Sequence, residues 1–308
     1  MRTKIKDMVA GQKFYQVFNL IACERAVTSK GSAYMKLTLG DSSGTIKANA
    51  WFDSPALIEG AVRAELTTQT YNGELQGVVG TIINIEPTMD ELEDIVPVAP
   101  TNPVELEQGI REYLKSISDA DIKAVAVKAI GDRWSILKRL PAAKAMHHNY
   151  IYGWMQHTFE MLRIADAVAQ IFPVINRDYL IAGTALHDIG KAEEFSCSSL
   201  GIVDKYSVSG SMEGHLFIGA RIVEDVSREL NIPEEKMRIL THMILSHHGN
   251  PEWGAVARPC TPEAQALFLI DMMSARLEMY RVEYENLESG QMSDVANRGL
   301  DGVRVFRT

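Results

Sequence analysis

The sequence predicts a multi-domain α and β protein, with a five-stranded N-terminal β-barrel followed by an all-α domain. Three observations carry that prediction. Residues 1–86 read as five β-rich runs separated by turn signals. From Pro103 to about 287, apolar residues recur every three to four positions. All eight histidines lie between 147 and 248, within that helical stretch.

Phe14 to Val27 is a long β-rich run, and Ala33 to Leu39 alternates before the turn Asp41-Ser-Ser-Gly44. Thr45 to Trp51 places Ile46, Ala48 and Ala50 on one face and Lys47 and Asn49 on the other. Val62 to Thr70 and Glu74 to Ile85 complete the set, joined by the hairpin-like turn Tyr71-Asn-Gly73. Helix is expected only around Ser54 to Gly60. Five strands in this span suit a small Greek-key barrel. The block from Met35 to Trp51 resembles the central hairpin of nucleic-acid-binding OB-folds. Such barrels hold single strands by stacking bases on exposed aromatics beside a basic groove. Tyr34, Trp51, Phe52 and Tyr71 are the candidate platforms, with Lys36 and Lys47 nearby. Filling the barrel core is the commoner fate of any one of these aromatics.

Residues 1–87 therefore form the expected nucleic-acid-binding domain, 88–102 an acidic, proline-rich linker without periodicity, and 103–308 the helical domain. Asn102 is placed to cap the first helix, with Pro103 at its first position. Helical spacing covers Pro103 to Ser116, Asp119 to Ile130, Trp154 to Phe172, Tyr179 to Leu186, Glu213 to Leu230, Pro233 to His247 and Pro262 to Leu287.

The net charge of −9 weakens a polyanion-binding reading without excluding it, because residues 1–86 carry nine Lys/Arg against eight Asp/Glu. Wrapping of a duplex is disfavoured. No apolar run reaches membrane-spanning length, and no secretory core follows the first charges, so a cytoplasmic protein without membrane partners is expected. Cys23, Cys197 and Cys260 lack close spacing and read as reduced, small buried hydrophobes. Neither GxxxxGK[ST] nor GxGxxG occurs, which argues against a nucleotide-driven motor or a dinucleotide oxidoreductase.

Chemistry concentrates around Ala185-Leu-His-Asp-Ile-Gly-Lys191. His187 and Asp188 end an apolar helical pattern, with Gly190 placed to stop it. In order, the polar residues are His157, His187-Asp188, His215, His247-His248, and Asp271 inside an apolar helix. Any one histidine alone is more often a core or surface residue, and His247-His248 also suits a helix C-terminus. Asp271 resists such a reading, since a buried carboxylate needs a cation or strong hydrogen bonds. The set together suits divalent metals: Mn, Fe, Co, Ni or Zn better than Ca, with Mg also open. Six or seven ligands exceed the need of one ion.

This order resembles the HD-domain metal phosphohydrolases with two metals. The resemblance implies that Asp188 bridges two ions, that His157, His187 and Asp271 hold one, and that His215, His247 and His248 hold the other. Two such cations activate water and clamp a phosphodiester. Asp188 and Lys191 are the expected catalytic residues. Lys191 is placed to contact a phosphate oxygen, although a solvated helix-end lysine fits equally.

The segment Leu140 to Thr158, the motifs Gly214-His215 and Ile244-Leu-Ser-His-His-Gly249, the barrel and the tail Gly299-Leu-Asp-Gly-Val-Arg304 together resemble the YhaM family. These are bacterial 3′→5′ exoribonucleases that pair an OB-fold with an HD domain and use Mn or Co. The resemblance implies a two-metal, most simply Mn-dependent, enzyme that takes single-stranded RNA (or DNA) by its 3′ end and releases mononucleotides. His147 and His148 belong to the matching block, lining the substrate path or serving a local structural role. Gln156 stands where the family pattern has an acid, leaving the ligands intact but changing the charge around them. His242 has no place in the ligand order. An HD hydrolase acting on a nucleotide or small phosphodiester is the alternative, as is a non-enzymatic single-strand binder. Asn250-Pro251-Glu252 after the histidine pair departs from the Gly-Tyr-Pro of cyclic-dinucleotide enzymes. Apolar helix surface makes a homo-oligomer plausible.

Overall fold

The structure is a computed structural model that describes residues 2–308 except 29, 53–56, 144–147, 198, 199 and 202. Two compact units form, one of residues 1–98 with 198–200 and one of residues 99–197 with 201–308.

The first unit is a closed barrel of β1 (Lys13–Val27), β2 (Ala33–Asp41), β3 (Gly44–Ala50), β4 (Gly60–Tyr71) and β5 (Glu74–Asn84), in the order β1-β2-β3-β5-β4. β1 pairs antiparallel with both β2 and β4, and closure comes through a short parallel pairing of β3 with β5. This is the OB-fold expected from the sequence. Alternation sets the register: Ile46, Ala48 and Ala50 point into a core built on Phe18, Leu20, Leu39 and Leu66, while Lys47 faces out. Asp41 closes the β2–β3 turn by accepting from the amides of Ser43 (2.7 Å) and Gly44 (3.1 Å). Asn72 and Gly73 both take positive φ, the backbone that a two-residue hairpin requires.

Two expectations for this region change. Residues 57–59 are not helical and β4 begins at Gly60, while 53–56 lie outside the described residues. The stretch 88–102 carries a helix, α1 (Met89–Ile95), where irregular linker was expected. A capping box starts it: Thr88 accepts from the Glu91 amide, and Glu91 reaches back to the Thr88 amide. Leu92, Ile95 and Val96 are buried, and α1 packs on β1 and β2.

The second unit is helical: α2 (Pro103–Ser116), α3 (Ala120–Leu137), α4 (Gly153–Ile171), α5 (Arg177–Leu186), α6 (Lys191–Glu194), α7 (Val208–Glu229), α8 (Glu234–Ser246) and α9 (Pro262–Glu285). A small hairpin, β6 (Phe195–Cys197) with β7 (Val203–Tyr206), follows α6. α5 is the hub. Leu180 through Leu186 are all buried, and the helix packs against α2, α3, α4, α8 and α9. Asn102, Asp119, Asn176 and Thr261 cap α2, α3, α5 and α9 with their side chains. α7 starts earlier than expected, at a Ser207 cap. Gly214 (φ 73°, ψ 156°) kinks it and interrupts the periodicity that would have revealed its first turns. Among the described residues, no helix is long and apolar enough to cross a membrane.

Candidate metal centre and nucleic-acid groove

Five helices bring the polar residues to one interior point. α5 delivers His187 and Asp188 as it ends, α4 contributes His157, and α7 presents His215 directly after its kink. α8 ends at His247 and His248, and α9 supplies Asp271. The ligand atoms fall into two sets, His157/His187/Asp188 and His215/His247/His248, each with its atoms within 4.8 Å of one another. Asp271 joins the first, with Oδ1 3.1 Å from His157 Nε2. Asp188 faces both: its Oδ2 lies 3.2 Å from His187 Nε2, and its Oδ1 lies 3.7 Å from His215 Nε2 and 3.8 Å from His247 Nε2.

Each of the five imidazoles is held by its Nδ1, so its Nε2 is turned to the centre. His187 and His247 meet the carbonyls of Thr184 (2.8 Å) and Ile244 (2.7 Å), each three residues back on its own helix. His248 meets the Trp253 carbonyl (3.1 Å), His215 the Glu194 carboxylate (3.0 Å), and His157 the Ser274 hydroxyl (3.0 Å). Such anchoring fixes tautomer and aim in metal-ligating histidines. The Nε2 atoms of His187 and His215 make no hydrogen bond although they are buried. Inward-facing imidazole nitrogens around two carboxylates are the donor set a divalent transition metal takes.

Electrostatics agree with that use. Burial drives His157, His247 and His248 below the usual imidazole range, with neighbouring histidines adding to the effect, so they are neutral ligands near pH 7. Burial alone would raise Asp188, but Lys191 and His187 outweigh it and hold the carboxyl well below its ordinary range. Asp271 is lowered in the same way, by His157 and His187 against burial.

Lys191 is not a solvated helix-end lysine. It is 9% exposed, and its ammonium donates to Asp188 Oδ2 (2.7 Å) and to the Ala142 carbonyl (2.7 Å). Gly190 does not stop the helix by a left-handed turn, since its backbone is right-handed helical (φ −63°). Its missing Cβ matters instead, because that atom would stand 2.1 Å from the His215 carbonyl oxygen and 2.7 Å from the Gly219 amide. Glycine lets α7 approach closely enough for His215 to reach Asp188.

His148 is buried, with Nε2 3.2 Å from Glu160 Oε2 and its ring 5.0 Å from that of His157, which favours a local structural role over the substrate path. His147 lies outside the described residues. Gln156 donates to Glu160 Oε1 (2.6 Å), and Ser274 donates to Glu160 Oε2 (3.3 Å) while contacting His157. The acid missing at 156 is thus present one turn later. Sequence reading missed Glu194, Glu160 and Ser274. Ser274 was discoverable, three residues after Asp271 on one helix, and so was Glu160, three after His157; Glu194 carried no local signal. The cysteines also differ from expectation: Cys197 and Cys260 are exposed and Cys23 half-buried. Cys260 instead meets His242, with Sγ 3.2 Å from Nε2.

On the barrel, Tyr34, Lys36, Lys47, Trp51 and Tyr71 line one groove of about 580 Å³. Tyr34 and Trp51 stack with ring centroids 5.0 Å apart, and Trp51 and Tyr71 are both more than half exposed. Phe52 packs against the core, the bland fate weighed for each aromatic.

The chain is similar to known proteins along most of its length. The HD domain family matches residues 154–276. The 3′-5′ exoribonuclease YhaM of Halalkalibacterium halodurans is 31% identical over 304 residues, covering 93% of each chain. That of Shouchella clausii is 32% identical over 280 residues, covering 88% of this chain and 86% of its own. Among solved structures, the second OB-fold domain of replication protein A from Methanococcus maripaludis covers 29% of this chain and 99% of its own, at 17% identity and a TM-score of 0.23. With the ligand order, the barrel and this near full-length identity in hand, the chain belongs to the YhaM family.

Proposed function

We propose that the protein is a metal-dependent 3′→5′ exoribonuclease that hydrolyses single-stranded RNA and releases mononucleotides. What supports this reading most directly is that two ligand sets meet on the two oxygens of one buried carboxylate, Asp188. In this reading His157, His187 and Asp271 hold one divalent ion and His215, His247 and His248 the other, with Asp188 shared; Mn is the first choice. When bound, such ions activate water and neutralise charge on the phosphate.

The chain's own residues do the rest. Burial keeps His157, His247 and His248 neutral, with their Nε2 lone pairs available at pH 7. Lys191 holds Asp188 ionised and fixed in a buried position, and the residue also lines the cavity at the centre. Residues 1–87 act as the gripping domain, with Tyr34, Trp51 and Tyr71 stacking bases and Lys36 and Lys47 meeting phosphates. Residues 103–308 act as the hydrolytic domain.

Digestion of 5′-labelled single-stranded RNA and matching DNA with Mn²⁺, beside an Asp188→Ala protein, tests this. A ladder shortening from the 3′ end, absent in the variant, is the expected result and ranks the two substrates. An intact oligonucleotide after incubation with metal-loaded protein would overturn it and point to small nucleotides.

A further inference from the structure

We infer that the indole of Trp253 is the stacking platform for the terminal base of the substrate at the metal centre. The inference rests on the proposed nuclease reading and assigns a subsite within it. A cavity of about 410 Å³ opens over the centre, large enough for roughly one nucleotide. Its lining combines two chemistries: Asp188, Lys191, His247, His248 and Asp271 are polar, whereas Trp253, Phe268, Met272 and Ala275 are apolar or aromatic. A nucleotide has the same division, with a charged phosphate at one end and a flat, largely apolar base face at the other. The phosphate belongs beside the histidines and carboxylates, which leaves the base to the aromatic residues.

Trp253 suits that task better than a core role. It is 59% exposed, whereas Trp154 of the same domain is fully buried. Phe268, on α9, backs the indole with ring centroids 6.0 Å apart and planes at 33°. Its loop is held from several sides: the Trp253 amide donates to the Asn250 carbonyl (2.8 Å), Asn250 caps the short turn Pro251–Trp253, and Gly254 takes the left-handed backbone that ends it. The Trp253 carbonyl also accepts from His248 Nδ1 (3.1 Å), so the residue that aims a ligand carries the stacking ring. Base position and phosphate position are thereby set by one short segment. Among the described residues, Trp253, Phe268 and Met272 offer a π-face and a thioether but no side-chain hydrogen-bonding pair for a base edge, so the subsite is assigned no preference among the four bases.

The test compares wild type, Trp253→Ala and Trp253→Phe on 5′-labelled RNA ending in an ordinary nucleotide or in an abasic one. Wild type is expected to lose about 10- to 100-fold in kcat/KM on the abasic end, the range of one base stacked on an aromatic ring. Trp253→Ala should lose as much on ordinary RNA and little further on the abasic end, and Trp253→Phe should restore most of the rate. The main-chain carbonyl survives both changes, so metal content and the far-ultraviolet circular dichroism spectrum should match wild type. A readout independent of turnover is quenching of tryptophan fluorescence by adenosine 5′-monophosphate in Mg²⁺, present in Trp51→Phe protein and absent in Trp51→Phe/Trp253→Phe. Equal discrimination against the abasic end by wild type and Trp253→Ala, or quenching unchanged when Trp253→Phe is added to Trp51→Phe, overturns the assignment. Failure of wild type to shorten ordinary RNA would instead overturn the nuclease reading, leaving the quenching experiment to decide on Trp253.

Discussion

Asp188 and Lys191 form a buried ion pair, Oδ2 to Nζ 2.7 Å, three residues apart across the turn that joins α5 to α6. The lysine ammonium is the nearest positive charge to a carboxylate that is only 3% exposed. In metal-free protein, Lys191→Met removes that charge while keeping similar bulk. The expected cost is about 3–5 kcal/mol, the usual penalty for leaving one partner of a buried pair behind. Urea unfolding in EDTA measures it, and saturating Mn²⁺ should return part of the loss.

Substitutions in the two ligand sets should separate by stoichiometry. Two ions per chain are expected in the native protein, with one remaining after His157→Ala or His248→Ala and neither held tightly after Asp188→Ala. Elemental analysis after gel filtration decides. Equal loss from all three variants would argue for a single shared ion.

Glu194 accepts from both the side chain and the amide of His215, at 3.0 Å each. Glu194→Ala leaves every ligand in place but removes the group that aims one of them. Metal affinity should fall roughly 10- to 100-fold, as when comparable partners of ligating histidines are removed. Competition with a fluorescent chelator reads the change, and Glu194→Gln should retain part of the affinity because its carbonyl oxygen still accepts.

Trp51→Ala should weaken binding of single-stranded RNA to the full chain in EDTA by about 1–3 kcal/mol, the range for one stacked base. Lys36→Ala and Lys47→Ala should instead flatten the salt dependence, each reducing the log–log slope by about 0.7. Fluorescence polarisation across a salt series separates the two effects.

Acid should weaken the barrel unit through Glu91. The Thr88 amide together with Arg63 and Arg2 holds this carboxyl below its ordinary value of 4.5. A lowered folded-state pKa gives stability that is fully present above about pH 4.5 and lost as pH falls through the lowered value. Glu91→Gln should flatten that acid limb while lowering the plateau at neutral pH, as seen in thermal melts from pH 7 to pH 2.5.

Much of this was legible in the sequence because it depends on period and order. Alternation gave the five strands and their inward faces, and three-to-four spacing gave seven helices, with α2 matched at both ends. The convergence of His157, His187, Asp188, His215, His247, His248 and Asp271 needed no tertiary detail, since helices with buried faces meet where their polar exceptions are satisfied. What escaped was short or distant. α1 has only seven residues, and α6 with the β6–β7 hairpin is shorter per element, too brief for periodicity to register. Gly190 looked like a stop signal because its neighbour 25 residues on, His215, is close only in space. Exposure of Cys197, at the end of the short strand β6, and of Cys260, in the loop before α9, depended on placements that composition does not encode.

Anchoring of the five imidazoles has one more consequence. A free histidine that captures an ion must surrender rotation about two side-chain bonds, and five of them would make coordination entropically expensive. Here the Nδ1 contacts remove that freedom when the helices form, two of them through carbonyls of the same helix turn. The centre is thus rigid before any ion arrives. A chelator should therefore strip the ions without unwinding the ends of α5 and α8, and the helical unit should stay folded in their absence.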